Sequence, residues 1–137
     1  MMADAKQERK VLREVQKLVW GINKDWEDQA VDDCCSVLVI DATASHYQRR
    51  SKYLKIYKKQ VINGRMGFGS IAFMFINKFT GEVHKPMTTS APSRDVRYEL
   101  KELVKNPKIV DDGGCFLRMS FIQKEEITNQ DLNKLIR

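Results

Sequence analysis

The sequence predicts an α+β two-layer sandwich, a mixed sheet of about four strands that includes one β-hairpin, with helices packed mainly on one face. Three observations lead there. Segments with helical apolar spacing alternate with short β-branched runs, giving the order α(α)–β–α–β–β–α–β–α. Lys78-Phe-Thr-Gly81 separates two extended stretches as a turn would. Four short strands and a hairpin leave little parallel sheet for helices to wind around, which disfavours a doubly wound fold. At 137 residues, one core and one domain over 1–137 are expected.

From about Ala5 to Trp20, Val11, Leu12, Val15, Leu18 and Val19 recur at helical intervals among charged residues, so an amphipathic helix is expected there. Gly21 and Asn23 predict a break, with a second short helix over Asp25 to Val31. Ser36-Val-Leu-Val-Ile40 reads as a buried strand ending at Asp41. Residues 45–62 place Tyr47, Tyr53, Leu54, Ile56, Tyr57 and Val61 at loosely helical spacing, predicting a basic helix stopped by Asn63-Gly64. A strand over Ser70 to Ile76 follows, and Glu82 to Thr88 pairs back on it, with Pro86 at an edge or strand end. Ser93 is expected to cap a helix reaching about Lys105 on the stripe Val96, Leu100, Leu103 and Val104. Asp111 to Gly114 reads as a turn, Cys115 to Ile122 as a strand, and Thr128 as the cap of a last helix.

Composition narrows the function classes. No run approaches the roughly 18 apolar residues of a membrane span, and MMADAKQERK lacks the apolar core of a secretory signal. An intracellular, non-secreted chain with no membrane partner is expected. Cys34, Cys35 and Cys115 are odd in number and form no C-x2-C pair, so neither a disulfide framework nor a structural zinc site is encoded. No phosphate-binding glycine loop of the nucleotide-hydrolase kind is present.

The net charge of +6 is uneven: −2 over residues 1–35, +6 over 36–66, +3 over 67–110 and −1 over 111–137. Within 46–66 there are seven Lys/Arg and no acid, interleaved with Tyr47, Tyr53 and Tyr57. Cations neutralise phosphates and aromatic rings stack on unpaired bases, so this mixture suits a polyanion-binding face. An amphipathic helix with a solvated basic side accounts for the same residues. The nucleic-acid-binding candidates are Arg49, Arg50, Lys52, Tyr53, Lys55, Lys58, Lys59 and Arg65, extended by Arg94 and Arg97 in the first turn of the helix after Ser93. Asp41, Glu82 and Lys85 form the acid, acid, lysine set of a metal-assisted nuclease, at a spacing that is not diagnostic. His46 and His84 have no partner at ligand spacing and read as surface or structural histidines. No catalytic residue, metal or cofactor is assigned.

Phe75-Ile-Asn-Lys-Phe-Thr-Gly-Glu-Val-His-Lys-Pro86, followed by Ala91-Pro92 and Arg97, resembles a hairpin-plus-loop element of small uncharacterised proteins of DNA viruses and phages. The likeness spans about residues 75–97, and departs at Thr89, where an aromatic is common. It implies a viral or phage origin, in the host cytoplasm or the virion, and transfers no catalytic residue. The function expected first is a small non-enzymatic protein that binds nucleic acid or another polyanion. The alternative is a structural protein, such as a small virion component, docking its basic face on an acidic protein partner. A metal-dependent phosphodiesterase is the second alternative.

Overall fold

A computed structural model describes residues 2–41 and 52–117 of the chain. The first helix, α1, runs unbroken over Met2–Asp28. The break expected at Gly21 is absent because the apolar stripe does not stop there: Val11, Val15, Leu18 and Val19 are followed in register by Ile22 and Trp26, all buried. A glycine inside a helix costs about 1 kcal/mol. Burying Ile22 and Trp26 stabilises by roughly 1.5–3 kcal/mol each, so the continuous helix wins. Asp32 and Asp33, with φ of 53° and 56°, form the tight turn that pairs Val31 with Cys34 and starts the first strand.

β1 (Cys34–Ile40) is the expected strand. The basic segment is a strand too: β2 (Tyr53–Ile62) corrects the expected helix over 45–62, whose first part lies outside the described residues. Tyr53-Leu-Lys-Ile-Tyr57 alternates with period two and buries Leu54 and Ile56, and its aromatic and β-branched residues suit a pleated surface. Asn63 and Gly64 do not stop a helix. Their φ values of 52° and 76° make a two-residue hairpin turn into β3 (Arg65–Met66).

β4 (Ile71–Asn77) and β5 (Glu82–Pro86) form the expected hairpin, with Gly81 at φ +76° and the Asn77 carboxamide oxygen accepting from the N–H groups of Phe79 and Thr80. The helix expected from Ser93 is β6 (Pro92–Glu99), and only Leu100–Lys105 is helical, as α2. Tyr98 and Val96 pair with Val83 and His84 across the sheet, which competes with a helical first turn, and the inward stripe begins at Leu100. Single 3₁₀ turns follow at Pro107–Ile109 and Cys115–Leu117. The second replaces the start of the expected strand, because the Asp111 carboxylate accepts the N–H groups of Cys115 and Phe116 and curls the chain. The rest of that strand and the helix after Thr128 lie outside the described residues.

The α+β class stands, but among the described residues the sheet has six strands, all paired antiparallel, in the order β1-β2-β4-β5-β6 with β3 beside the far end of β2. Most of its links are short hairpins, whereas a parallel pair needs a crossover of a dozen or more residues. Cross-strand register sorts the two faces. Ile40, Ile56 and Met74 lie in one row and Leu54, Ile76, Val83 and Tyr98 in another. Both rows join α1, α2 and Phe116 in one core. Trp26, Phe73, Phe116 and Tyr98 close one end of it with ring centroids 5.7–5.9 Å apart. Among the described residues both helices lie on this face.

Candidate functional site

Alternation along β2 sends Tyr53, Lys55, Tyr57 and Lys59 to the second face of the sheet, where no described helix packs. Same-face neighbours in a strand are about 6.6 Å apart, so rings and ammonium groups alternate down one row. Lys55 Nζ lies 4.6 Å from the Tyr57 ring centroid and 5.8 Å from that of Phe75. Tyr53 meets Phe75 and His84 edge-on at 6.5 and 5.3 Å. Val37, the partner of Lys59, and Val39, the partner of Tyr57, extend the surface on β1.

Beneath the row, Phe75 and His84 are buried. His84 Nδ1 lies 2.8 Å from the Ser93 carbonyl oxygen. A carbonyl only accepts, so Nδ1 carries a proton, and Nε2 has no hydrogen-bond partner among the described residues. The expectation that His84 is a structural histidine holds for one ring nitrogen and leaves the other unexplained.

The candidate residues separate. Tyr53, Lys55 and Lys59 share the second face, with exposed Lys52 just before them and exposed Arg65 in the hairpin beyond. Lys58 points to the opposite face and is a clamp: Nζ sits 3.0 Å from Asp112 Oδ1 and donates to the Asp112 carbonyl at 2.8 Å, while Asp112 Oδ2 accepts from Ser36 Oγ at 2.9 Å. Arg94 and Arg97 are not in the first turn of a helix. They sit on β6, three strands from β2 and so about 14 Å away, with Arg97 Nη2 3.8 Å from Asp95. Arg49, Arg50 and His46 lie outside the described residues.

Asp41 and Glu82 are likewise three strands apart, about 14 Å, too far to share one metal ion. Among the described residues no group of three His, Cys, Asp or Glu could hold a metal. Asp41 instead follows Ile40 beside Lys55, its N–H donating to the Lys55 carbonyl at 3.0 Å. Cys34, Cys35 and Cys115 are free thiols. No described helix is long and apolar enough to cross a membrane.

Residues outside the candidate set present further rings and charge. Tyr57 belongs to the row, and the two-residue alternation of 53–57 was the available signal. Lys6, Arg9, Lys10, Arg13 and Lys17 share the outer face of α1, where with Glu14 they line a shallow groove of about 420 Å³. Trp20, on the same helix, is 67% exposed. No curated protein and no solved structure matches the chain. One family model does, a family of unknown function (DUF7717), over residues 1–117. That span takes in every described element, and the chain belongs to this family of unknown function.

Proposed function

We propose that the protein is a non-enzymatic binder of single-stranded nucleic acid that uses the second face of its sheet. The observation that carries this reading is the row Tyr53, Lys55, Tyr57, Lys59 on a sheet face free of described helices. The half-buried rings of Tyr53 and Tyr57 offer bases a stacking surface that does not depend on sequence, and ammonium groups spaced between them neutralise the phosphates. Lys52 and Arg65 continue the positive charge at either end of the strand.

The test is fluorescence anisotropy with labelled single-stranded DNA, single-stranded RNA and duplex DNA at 50 and 200 mM salt. Neutralising Z phosphates on a single strand gives a slope of about −0.7Z in log K against log salt, so three contacts weaken binding about 20-fold over that range. Tyr57→Ala removes about 1–3 kcal/mol of stacking, and Lys55→Ala with Lys59→Ala flattens the salt slope. Lack of binding to every probe at 50 mM salt overturns the proposal.

A protein-docking role is the second reading, favoured by a cluster of exposed apolar residues in and after the β2–β3 hairpin: Ile62, Met66, Phe68 and Ile71. It predicts a defined complex or oligomer in solution, dispersed by Phe68→Ser with Met66→Ser and indifferent to Lys59→Ala.

A further inference from the structure

We infer that the binding surface turns the β1 edge and continues along α1, so that a single strand longer than a few nucleotides passes from β2 onto the outer stripe of the helix, with Trp20 as the stacking residue at the corner. This rests on the sheet-face reading and names the path its ligand takes.

Three observations carry it. Lys6, Lys10, Arg13 and Lys17 follow one another at three and four residue steps, with Arg9 beside them, and all five are exposed and form no ion pair among the described residues. Trp20 extends the same stripe. The residue is 67% exposed although the apolar stripe of α1 lies elsewhere, and Lys24 Nζ sits 5.0 Å from its ring centroid. A cation beside an aromatic ring is also the pairing of Lys55 with half-buried Tyr57 on the sheet.

The third observation joins the two surfaces. A groove of about 570 Å³ at the β1 edge is lined by Trp20, Asn23 and Lys24 from α1 and by Cys35, Val37 and Val61 from the sheet. Val37 is the register partner of Lys59. A strand leaving Lys59 therefore crosses Val37, enters the groove and meets Trp20 before reaching Lys17 and Arg13. Among the described residues, Glu27 is the only acid lining that passage. The bend selects the ligand: duplex DNA has a persistence length of about 150 bp and does not fold around the edge of one sheet, whereas a single strand does.

The experiment compares 4-mers with 16-mers, the range of lengths that single-strand binding folds of this size occupy, as oligo-dT and oligo-U, on wild type, on Lys10→Ala/Arg13→Ala/Lys17→Ala and on Trp20→Phe. Alanine is the best helix former, so the exposed triple variant keeps α1. A longer oligomer also offers more binding registers, so the variant decides and length alone does not. The triple variant is expected to lose tenfold or more in affinity for 16-mers and to flatten their salt slope by about 2, three contacts at 0.7 each, with 4-mer binding unchanged. Wild-type tryptophan fluorescence is expected to change with unlabelled 16-mer, and Trp20→Phe, which leaves buried Trp26 as the only tryptophan, to abolish that change. If 4-mers bind and the variants leave 16-mer affinity, slope and fluorescence untouched, the path along α1 is wrong and the sheet site stands. If no oligomer binds wild type, both fall. The series, dT or U, that shows the variant-sensitive gain identifies DNA or RNA as the ligand.

Discussion

Asn23→Ala tests the joint between α1 and the sheet. Among the described residues β1 is an edge strand, and at Leu38 its outward backbone groups are taken by one side chain. Asn23 Nδ2 donates to the Leu38 carbonyl at 2.9 Å, and the Leu38 N–H donates to Asn23 Oδ1 at 2.7 Å. The carboxamide thus pairs with β1 as a neighbouring strand would, and blunts the edge against pairing with another chain. Two part-buried hydrogen bonds contribute about 0.5–1.5 kcal/mol each. Alanine gives back at most about 0.7 kcal/mol in helix propensity. The net loss is about 1–2 kcal/mol. Urea unfolding followed by far-UV circular dichroism measures it as a drop in midpoint at unchanged m, about 0.5–1 M for an m near 2 kcal/mol/M. Asn23→Asp, which keeps the acceptor and loses the donor, is expected to fall between the two. A midpoint within error of wild type for Asn23→Ala would refute the edge-pairing role, and would release Asn23 as a groove residue available to a ligand.

Gly81 holds φ +76°, and a Cβ there would stand 3.4 Å from Leu100 Cβ, so Gly81→Ala is expected to destabilise by about 1–2 kcal/mol in the same assay. Burial pushes the Asp111 carboxyl up, but hydrogen bonds from the Cys115 and Phe116 N–H groups and the Cys115 thiol outweigh it and hold the group below the ordinary carboxylate value. Its stabilising effect is therefore full above the unfolded value, near 3.9, and is lost as pH falls through the lower folded value. The midpoint gap between wild type and Asp111→Asn should be constant from pH 5 to 8 and close below about pH 4, and a gap that stays open there contradicts the assignment. Lys58→Met is expected to cost about 1 kcal/mol, since the Asp112 clamp is half in solvent, and to leave oligonucleotide affinity unchanged, while Lys59→Ala does the reverse.

Elements with a single physical reading were legible in the sequence. The stripe of α1, the β1 run, and the β4–β5 hairpin with its positive-φ glycine each had one period or one turn chemistry to obey. Misreadings fell where two readings fitted the same residues. Tyr53, Leu54, Ile56, Tyr57 and Val61 satisfy helical spacing loosely and strand alternation closely over 53–57, and the choice rests on partners in β1 and β4 that are distant in sequence. Ser93 looks like a cap until β5 is seen to claim Val96 and Tyr98. The basic row suffered from the first of these errors: a helix would have put Lys55, Lys58 and Lys59 together, and the strand sends Lys58 away from the other two.

That separation is itself informative about what the charge does. Lys58 is accounted for by folding, with an acid, a carbonyl and a serine arranged around it. Lys55 is accounted for in part, since Asp41 follows in register beside it and two rings lie under its ammonium. Lys59 is different: its partner on β1 is Val37, and it forms no ion pair among the described residues. A half-buried lysine opposite valine on a central strand adds little to stability, where a threonine or a second valine would pack better. The same holds for Trp20, which is outward on a helix that already has a full apolar stripe. Both residues are costs to the isolated fold, and both border the groove at the β1 edge, one beside its floor and one in its wall. An anionic strand carrying aromatic bases, the ligand we propose, would give each of them a partner in the same place.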